Sequence, residues 1–244
     1  MSKNPYLEIF KKTRGNRFGS RRPVPYFDPT SVGKLADDFL SAFRVREECC
    51  NKYSFAVPNK DAIDAIVKYS PIVEIGAGTG YWAKLISEAG GKIRAYDSFD
   101  WEDLKLGEFF PVKKGSFEKV KAASKKHTLF LCWSPYNESL AYDCVKNFKG
   151  RFVIYVGEPV GGCTACEKYH AYMNKHFKVV EEVEIPQWEA VHDRLIVWER
   201  KMTDKKFKIT IKKEDLIPKP RSPIKPSIQM KDKTKYTRKV KFKK

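Results

Sequence analysis

The chain has 244 residues, of which 42% are hydrophobic and 14% aromatic, and a formal net charge of +18. That is enough for one sizeable α/β core with appended arms. No stretch approaches the roughly 20 apolar residues that cross a bilayer, and Met1-Ser2-Lys3-Asn4-Pro5 lacks a hydrophobic signal core. The expected setting is therefore intracellular, nuclear or cytoplasmic, without membrane attachment. The six cysteines, Cys49, Cys50, Cys132, Cys144, Cys163 and Cys166, read there as reduced thiols.

The charge is unevenly placed. Residues 1–34 carry 8 Lys/Arg against 2 Asp/Glu, and residues 201–244 carry 17 against 4, while 35–200 hold 23 against 24. A neutral body of −1 thus lies between segments of +6 and +13. Basic arms favour a polyanionic partner: nucleic acid, or less often an anionic surface. A solubilising or targeting role for the arms is the alternative.

In chain order, residues 1–29 mix glycines and prolines with basic residues and read as an extended arm. Leu35, Phe39 and Phe43 recur at four-residue spacing and predict a helix over 31–48. Asn59 can cap a second helix carrying Ile63, Ile66 and Val67. From residue 71 strands and helices alternate. Strands are expected at 71–75, 92–96, 128–132 and 151–156, with helices after Gly80, over 137–148 and near 164–176. Two further strands, about 177–185 and 193–200, are separated by a loop too short for a parallel crossover, so they form an antiparallel hairpin. Phe207, Ile209 and Ile211 alternate with lysines and suggest one more edge strand, before four prolines and a lysine-rich end. The pattern predicts an α/β fold: a doubly wound, mostly parallel seven-stranded sheet with an antiparallel C-terminal hairpin, plus basic N- and C-terminal arms. The expected division is a basic N-terminal arm at 1–34, a catalytic domain at 35–200 and a basic, proline-containing tail at 201–244.

Glu74-Ile75-Gly76-Ala77-Gly78-Thr79-Gly80 follows the first buried strand with the spacing E-x-G-x-G-x-G, which differs from the dinucleotide fingerprint G-x-G-x-x-G. A glycine turn between strand and helix lets backbone approach a polar ligand. Asp97 ends the next strand, where a carboxylate can accept both hydroxyls of a ribose. In these residues the chain resembles the class I, Rossmann-like S-adenosylmethionine-dependent methyltransferases, over about 53–200. The resemblance implies S-adenosylmethionine as cofactor: Gly76, Gly78 and Gly80 under its methionine part, Glu74 near its amino group, Asp97 on the ribose and Ser116 against the adenine.

Ligands of open α/β sheets bind beyond the carboxyl ends of the strands. Trp133-Ser134-Pro135-Tyr136, Gly157-Glu158-Pro159 and the loop with Trp188, His192 and Asp193 arrive there. The first resembles the D/N/S-P-P-Y/F/W motif of amino-methyltransferases, but Trp133 stands where an acid or amide is expected and Ser134 replaces the first proline. The missing amine-orienting side chain must come from Glu158 or Asp193, if from anywhere. The expected acceptor pocket is Tyr136, Glu158, His192 and Asp193, with Trp133 on its wall beside the cofactor. His192 is a candidate general base, its ring oriented by Asp193; a turn-stabilising pair is the other reading. Cys163-x2-Cys166-x3-His170 lacks a second ligand pair, so no metal is expected.

These residues imply a methyltransferase acting on nucleic acid, RNA before DNA, with the arms on the phosphate backbone. Two alternatives stay open: a protein or small-molecule methyltransferase with targeting arms, or a methyltransferase-like component of a nucleoprotein assembly.

Overall fold

The computed structural model describes residues 3–15, 31–100, 105–123 and 125–201. All belong to the first of two units into which the chain divides, Met1–Met202; the second, Thr203–Lys244, lies outside the described residues. The basic tail from 202 on and the edge strand expected around 206–212 lie outside them, as do residues 16–30 of the N-terminal arm.

The elements run α1 (Pro5–Gly15), α2 (Ser31–Lys52), α3 (Lys60–Val67), β1 (Ile72–Ile75), α4 (Tyr81–Glu88), β2 (Ile93–Asp97), β3 (Val112–Lys114) and α5 (Phe117–Ala122). They continue with β4 (Thr128–Cys132), α6 (Leu140–Asn147), β5 (Phe152–Gly157), α7 (Glu167–His176), β6 (Phe177–Val183) and β7 (Arg194–Arg200). The seven strands form one sheet in the order β3-β2-β1-β4-β5-β7-β6. β1 to β5 pair in parallel, and β7 inserts antiparallel between β5 and β6. The seventh strand among the described residues is β3, which at three residues is too short to show a period.

Both faces of the sheet are covered, as a parallel sheet requires. Alternate residues point opposite ways. Ile72, Phe130, Ile154 and Val156 join α3 and α4 in one core, while Val73, Leu129, Leu131, Val153 and Tyr155 join α5, α6 and α7 in the other. Asn59 caps α3 as its position predicted, its Oδ1 accepting from the Ala62 N–H at 2.9 Å. The chain order reverses across β1 and β4, whose carboxyl ends therefore open a crevice.

The N-terminal segment departs from the extended arm. Residues 5–15 are helical, and the cause is local: Asn4 is an N-cap whose Oδ1 accepts from the Leu7 N–H at 3.0 Å, and Pro5 occupies the first helical position. Tyr6 and Phe10, one turn apart, are buried. Tyr6 stacks on Tyr53 with centroids 5.3 Å apart, and its hydroxyl accepts from the Trp188 indole at 2.9 Å; Phe10 meets the same indole edge-on at 5.0 Å. Asn4 also donates to the Pro58 carbonyl at 2.7 Å and accepts from the Tyr81 hydroxyl at 2.8 Å. Lys11 and Lys12 stay exposed, so α1 is apolar inward and basic outward. Trp188 is thereby a core residue under α1, away from the acceptor side where its loop pointed by sequence.

α1 should behave as part of the core. Tyr6→Ala should lower unfolding free energy by about 3–5 kcal/mol, as for other large aromatic truncations. Tyr6→Phe, which leaves the buried Trp188 N–H without its acceptor, should cost about 1–3 kcal/mol. Urea midpoints of the two variants check this, and a Tyr6→Ala midpoint equal to the wild type would mean that α1 is undocked in solution.

Candidate functional site

The crevice at the β1–β4 reversal is a cleft of about 660 Å³, within the size range of small-molecule sites. The end of β1 and its turn line it through Glu74, Gly76, Ala77, Gly78 and Thr79. The β2–β3 side contributes Asp97, Ser98, Asp100, Gly115 and Ser116. The β4 side contributes Cys132, Trp133, Ser134 and Pro135, and Tyr53, Ser54 and Phe55 enter after α2.

Gly76 and Gly78 adopt φ of +77° and +52°, in the left-handed region, and a Cβ on either would meet nothing within 4 Å. The turn therefore offers clearance. Its N–H groups are already engaged: those of Gly76 and Ala77 donate to the Tyr96 carbonyl at 2.9 and 3.1 Å, and that of Gly78 to Asp97 Oδ2 at 2.9 Å. Gly80 differs. It is the N-cap of α4 at φ +79°, it is not among the residues lining the cleft, and a Cβ there would lie 2.9 Å from the Phe110 backbone carbonyl. Its reason is close packing of α4.

Asp97 is buried at the carboxyl end of β2. Oδ2 accepts from Gly78 and Oδ1 from the Phe99 N–H at 3.1 Å. An ionised carboxylate has about four acceptor sites, so each oxygen keeps capacity toward the cleft while its orientation is fixed. Glu74 is 1% exposed, and its Oε2 has no hydrogen-bond partner. Burial, reinforced by the negative charge of Asp97, pushes its carboxyl up to about 8. A buried carboxyl group facing a cleft, with one oxygen unspent, is the complement of a cationic amine. Glu74, Asp97 and the clearance at Gly76 and Gly78 thus fit a ligand with an ammonium at one end and a vicinal diol further along. Ser116 lines the same side as Asp97, at the N-cap of α5.

The acceptor-side residues are arranged differently from the expectation. Trp133 lines the cleft, but Tyr136, Glu158, His192 and Asp193 are not among the lining residues. Tyr136 is 66% exposed. Glu158 spends both oxygens on backbone, Oε2 on the Cys163 N–H at 2.7 Å and Oε1 on the His192 N–H at 2.9 Å. Burial opposes its charge, but these hydrogen bonds win and hold its carboxyl below the usual value. It ties the loop after β5 to the loop before β7. Asp193 is 2% exposed and accepts from the Trp133 indole at 2.8 Å through Oδ2, while Oδ1 has no partner, so it does not orient the His192 ring. Burial raises the Asp193 carboxyl to about 6 against the opposing Trp133 hydrogen bond. His192 is exposed and reaches Glu158 through its backbone.

Sequence reading missed the segment after α2. Tyr53 and Phe55 line the cleft, Phe55 stacks on Trp133 at 5.4 Å and 17°, and the Tyr53 carbonyl accepts from the Thr79 hydroxyl within the glycine turn. The signal available was Tyr53-Ser54-Phe55-Ala56-Val57, an apolar run with no periodic partner between two helices. Among the described residues no group of three or more His, Cys, Asp or Glu side chains is placed to hold a metal ion, and no helix is long and apolar enough to cross a membrane.

No family model matches the sequence, and no curated protein matches it. Among solved structures the chain is similar to magnesium protoporphyrin IX methyltransferase from Synechocystis PCC 6803 with bound S-adenosylmethionine, at 12% identity and TM-score 0.43, covering 81% of this chain and 95% of that one. It is also similar to 1,6-didemethyltoxoflavin-N1-methyltransferase from Burkholderia thailandensis, at 15% identity and TM-score 0.43, covering 74% and 94%. A third is the N-methyltransferase NodS from Bradyrhizobium japonicum, at 10% identity and TM-score 0.39, covering 59% and 96%. The strand order, the antiparallel β7 and the glycine turn after β1 are those of the doubly wound, mostly parallel seven-stranded α/β fold with an antiparallel C-terminal hairpin.

Glu74 sets stability against ligand binding. Below its ordinary pKa of 4.5 the carboxyl is protonated folded and unfolded alike; between 4.5 and about 8 only the folded chain keeps the proton. Folding stability should therefore fall as pH rises through that window, by up to about 1.4 kcal/mol per pH unit from this group, and level off above it. Glu74→Gln should flatten that fall and raise the melting temperature of the ligand-free protein at pH 8, while weakening binding of a cationic ligand. Melting curves from pH 5 to 9 check the sign; a Glu74→Gln protein less stable than wild type at pH 8 would contradict it.

Proposed function

We propose that the chain is an S-adenosylmethionine-dependent methyltransferase acting on nucleic acid, RNA before DNA. The observation that carries the cofactor is the pairing, in one cleft, of the glycine turn with Asp97 and the unspent carboxyl of Glu74. Asp97 accepts from the ribose hydroxyls, held in place by the Gly78 and Phe99 N–H groups. Glu74 faces the ammonium, Gly76 and Gly78 leave room for the methionine part, and Ser116 stands toward the adenine.

S-adenosylmethionine supplies a methyl group on a sulfonium: the acceptor's lone pair forms the new bond to the methyl carbon as the carbon–sulfur pair withdraws onto sulfur. What the protein contributes is alignment and exclusion of water. Tyr53, Phe55, Trp82 and Trp133 line the cleft with aromatic surface for that purpose. The nucleic-acid half rests on charge. Segments of +6 and +13 flank a body of −1, and the exposed Lys11 and Lys12 of α1 carry the basic surface onto the folded domain.

Two measurements test the halves separately. Calorimetry with S-adenosylhomocysteine should show binding that Asp97→Ala weakens by two charge-assisted hydrogen bonds, roughly 1.5–3 kcal/mol each. Labelled S-adenosylmethionine given to RNA, DNA and protein fractions should label RNA most. Binding to single-stranded RNA should fall with salt at a log–log slope near −4 if about six phosphates are contacted. Deleting 213–244 should flatten that slope and leave cofactor binding intact. Coincident salt curves for the two proteins would remove the tail as the anchor, and label in the protein fraction alone would turn the reading to a protein substrate.

A further inference from the structure

Three unusual features meet on one ring, Trp133, at the end of β4. Its backbone lies at φ +49°, in the left-handed region that bulky residues avoid. Such strain persists only where the surroundings enforce it, and it gathers at ligand sites. Its indole N–H is held by Asp193, a carboxylate removed from water whose other oxygen has no partner. Burying a charged group that is only half satisfied is unfavourable for folding. The ring is also stacked against Phe55, nearly parallel at 17°, and the Arg46 guanidinium lies 5.8 Å from its centroid with its Nε buried and unpartnered. Trp133 also continues the ladder between β4 and β5 through its N–H, which donates to the Val156 carbonyl at 2.8 Å, and its ring packs at the margin of one core.

Phe55 is the outer member of the stack. It is 41% exposed and lines the cleft on the β4 side, opposite the Asp97 and Ser116 side that the cofactor reading occupies. An aromatic ring backed by a second ring and left open to a cleft is a platform for a third. The charges around the platform restrict what can use it. Among the described residues, the ionisable side chains lining the cleft are Glu74, Asp97, Asp100, Glu138 and Asp143, with neither Lys nor Arg; Arg46, over the Trp133 ring, does not line it. That holds in a chain of +18. A phosphate or carboxylate would be repelled there, whereas an uncharged or protonated planar ring would not.

We propose that Phe55 and Trp133 form an acceptor subsite that stacks a planar nitrogen heterocycle, a nucleobase entering ring-first with its phosphates left outside the acidic cleft, and that Asp193 is the positioning residue locking the Trp133 ring. The proposal deepens the nucleic-acid methyltransferase reading and rests on it. It also accounts for the altered Trp133-Ser134-Pro135-Tyr136 motif. Trp133 stands where an amine-holding acid is expected and supplies a wall, while Tyr136 points out to solvent.

The test uses the full-length protein saturated with S-adenosylhomocysteine, so that the cofactor side is filled. Cytidine, guanosine and uridine, each alone and as the 5′-monophosphate, are titrated by tryptophan fluorescence and ligand-observed NMR. Nucleosides should bind, and Phe55→Leu, which keeps apolar volume but removes the ring, should weaken them at least about fivefold, the low end of base–aromatic stacking. Homocysteine-product affinity should stay within about twofold. In the part of binding that Phe55→Leu removes, monophosphates should bind more weakly than nucleosides. Asp193→Ala should lose nucleoside binding and the Trp133 fluorescence signal, and Asp193→Asn, whose amide oxygen still accepts from the indole, should restore both. Nucleoside affinity unchanged in Phe55→Leu, or monophosphates preferred in the Phe55-dependent part, would overturn the proposal. Absence of S-adenosylhomocysteine binding to the wild type would instead sink the cofactor reading. The Phe55 dependence is then measured on the unloaded protein and judged by the same two outcomes.

Discussion

A carboxyl group buried in the central strand without a full set of partners sets the terms for the rest of the domain. Glu74 lies between β2 and β4 in the sheet, with apolar cores on either face. Burial and then the negative charge of Asp97 on the adjacent strand oppose its ionisation, so the ligand-free fold keeps it protonated up to about pH 8. A protein selected for stability alone would place an apolar residue there. The surrounding structure leaves room for what its unspent oxygen can meet: a cleft on one side and a glycine turn that withholds side chains from it.

The loops at the carboxyl edge are held by the same chemistry used repeatedly. Asp97 fixes the Gly78 and Phe99 amides, Glu158 fixes those of Cys163 and His192, and Glu118 accepts from the Ser116 N–H. Each carboxylate holds backbone of at least one loop, and charge-assisted hydrogen bonds of this kind are about twice as strong as neutral ones. The Gly78 turn, the residues after β2 and the start of α5 at the cleft are thereby held by bonds within the protein, which suits the alignment of two reactants.

What was legible in the sequence was local. The glycine turn, Asp97 at a strand end, the Asn59 cap and the short connection of the hairpin are each written within a few neighbouring residues, and the structure has them where the sequence put them. β3 was not legible, because Val112–Lys114 gives a single apolar residue and two lysines, with no alternation to read. α1 was obscured by composition: the prolines, glycines and basic residues that follow it outweighed the Asn4-Pro5 start signal and the Tyr6/Phe10 pair. The hydrogen-bond partners of the acceptor-side candidates were not legible for another reason. Chain order correctly brought Trp133, Glu158 and Asp193 to one edge, but how each carboxylate is spent depends on partners 5 to 60 residues away. No local pattern records that Glu158 ties two loop amides together or that Asp193 turns to an indole.

The bond between Tyr6 and Trp188 joins residues 182 apart in sequence. During synthesis α1 emerges first, yet the indole that receives it emerges after six of the seven strands, and β7, which fills the gap between β5 and β6, comes later still. The first helix meets Tyr53, Pro58 and Tyr81 early, and its seat is completed only when Trp188 is made. At roughly 5–20 residues per second the interval between Tyr6 and Trp188 lasts on the order of ten to forty seconds, so the docking of α1 is begun by one part of the domain and finished by another.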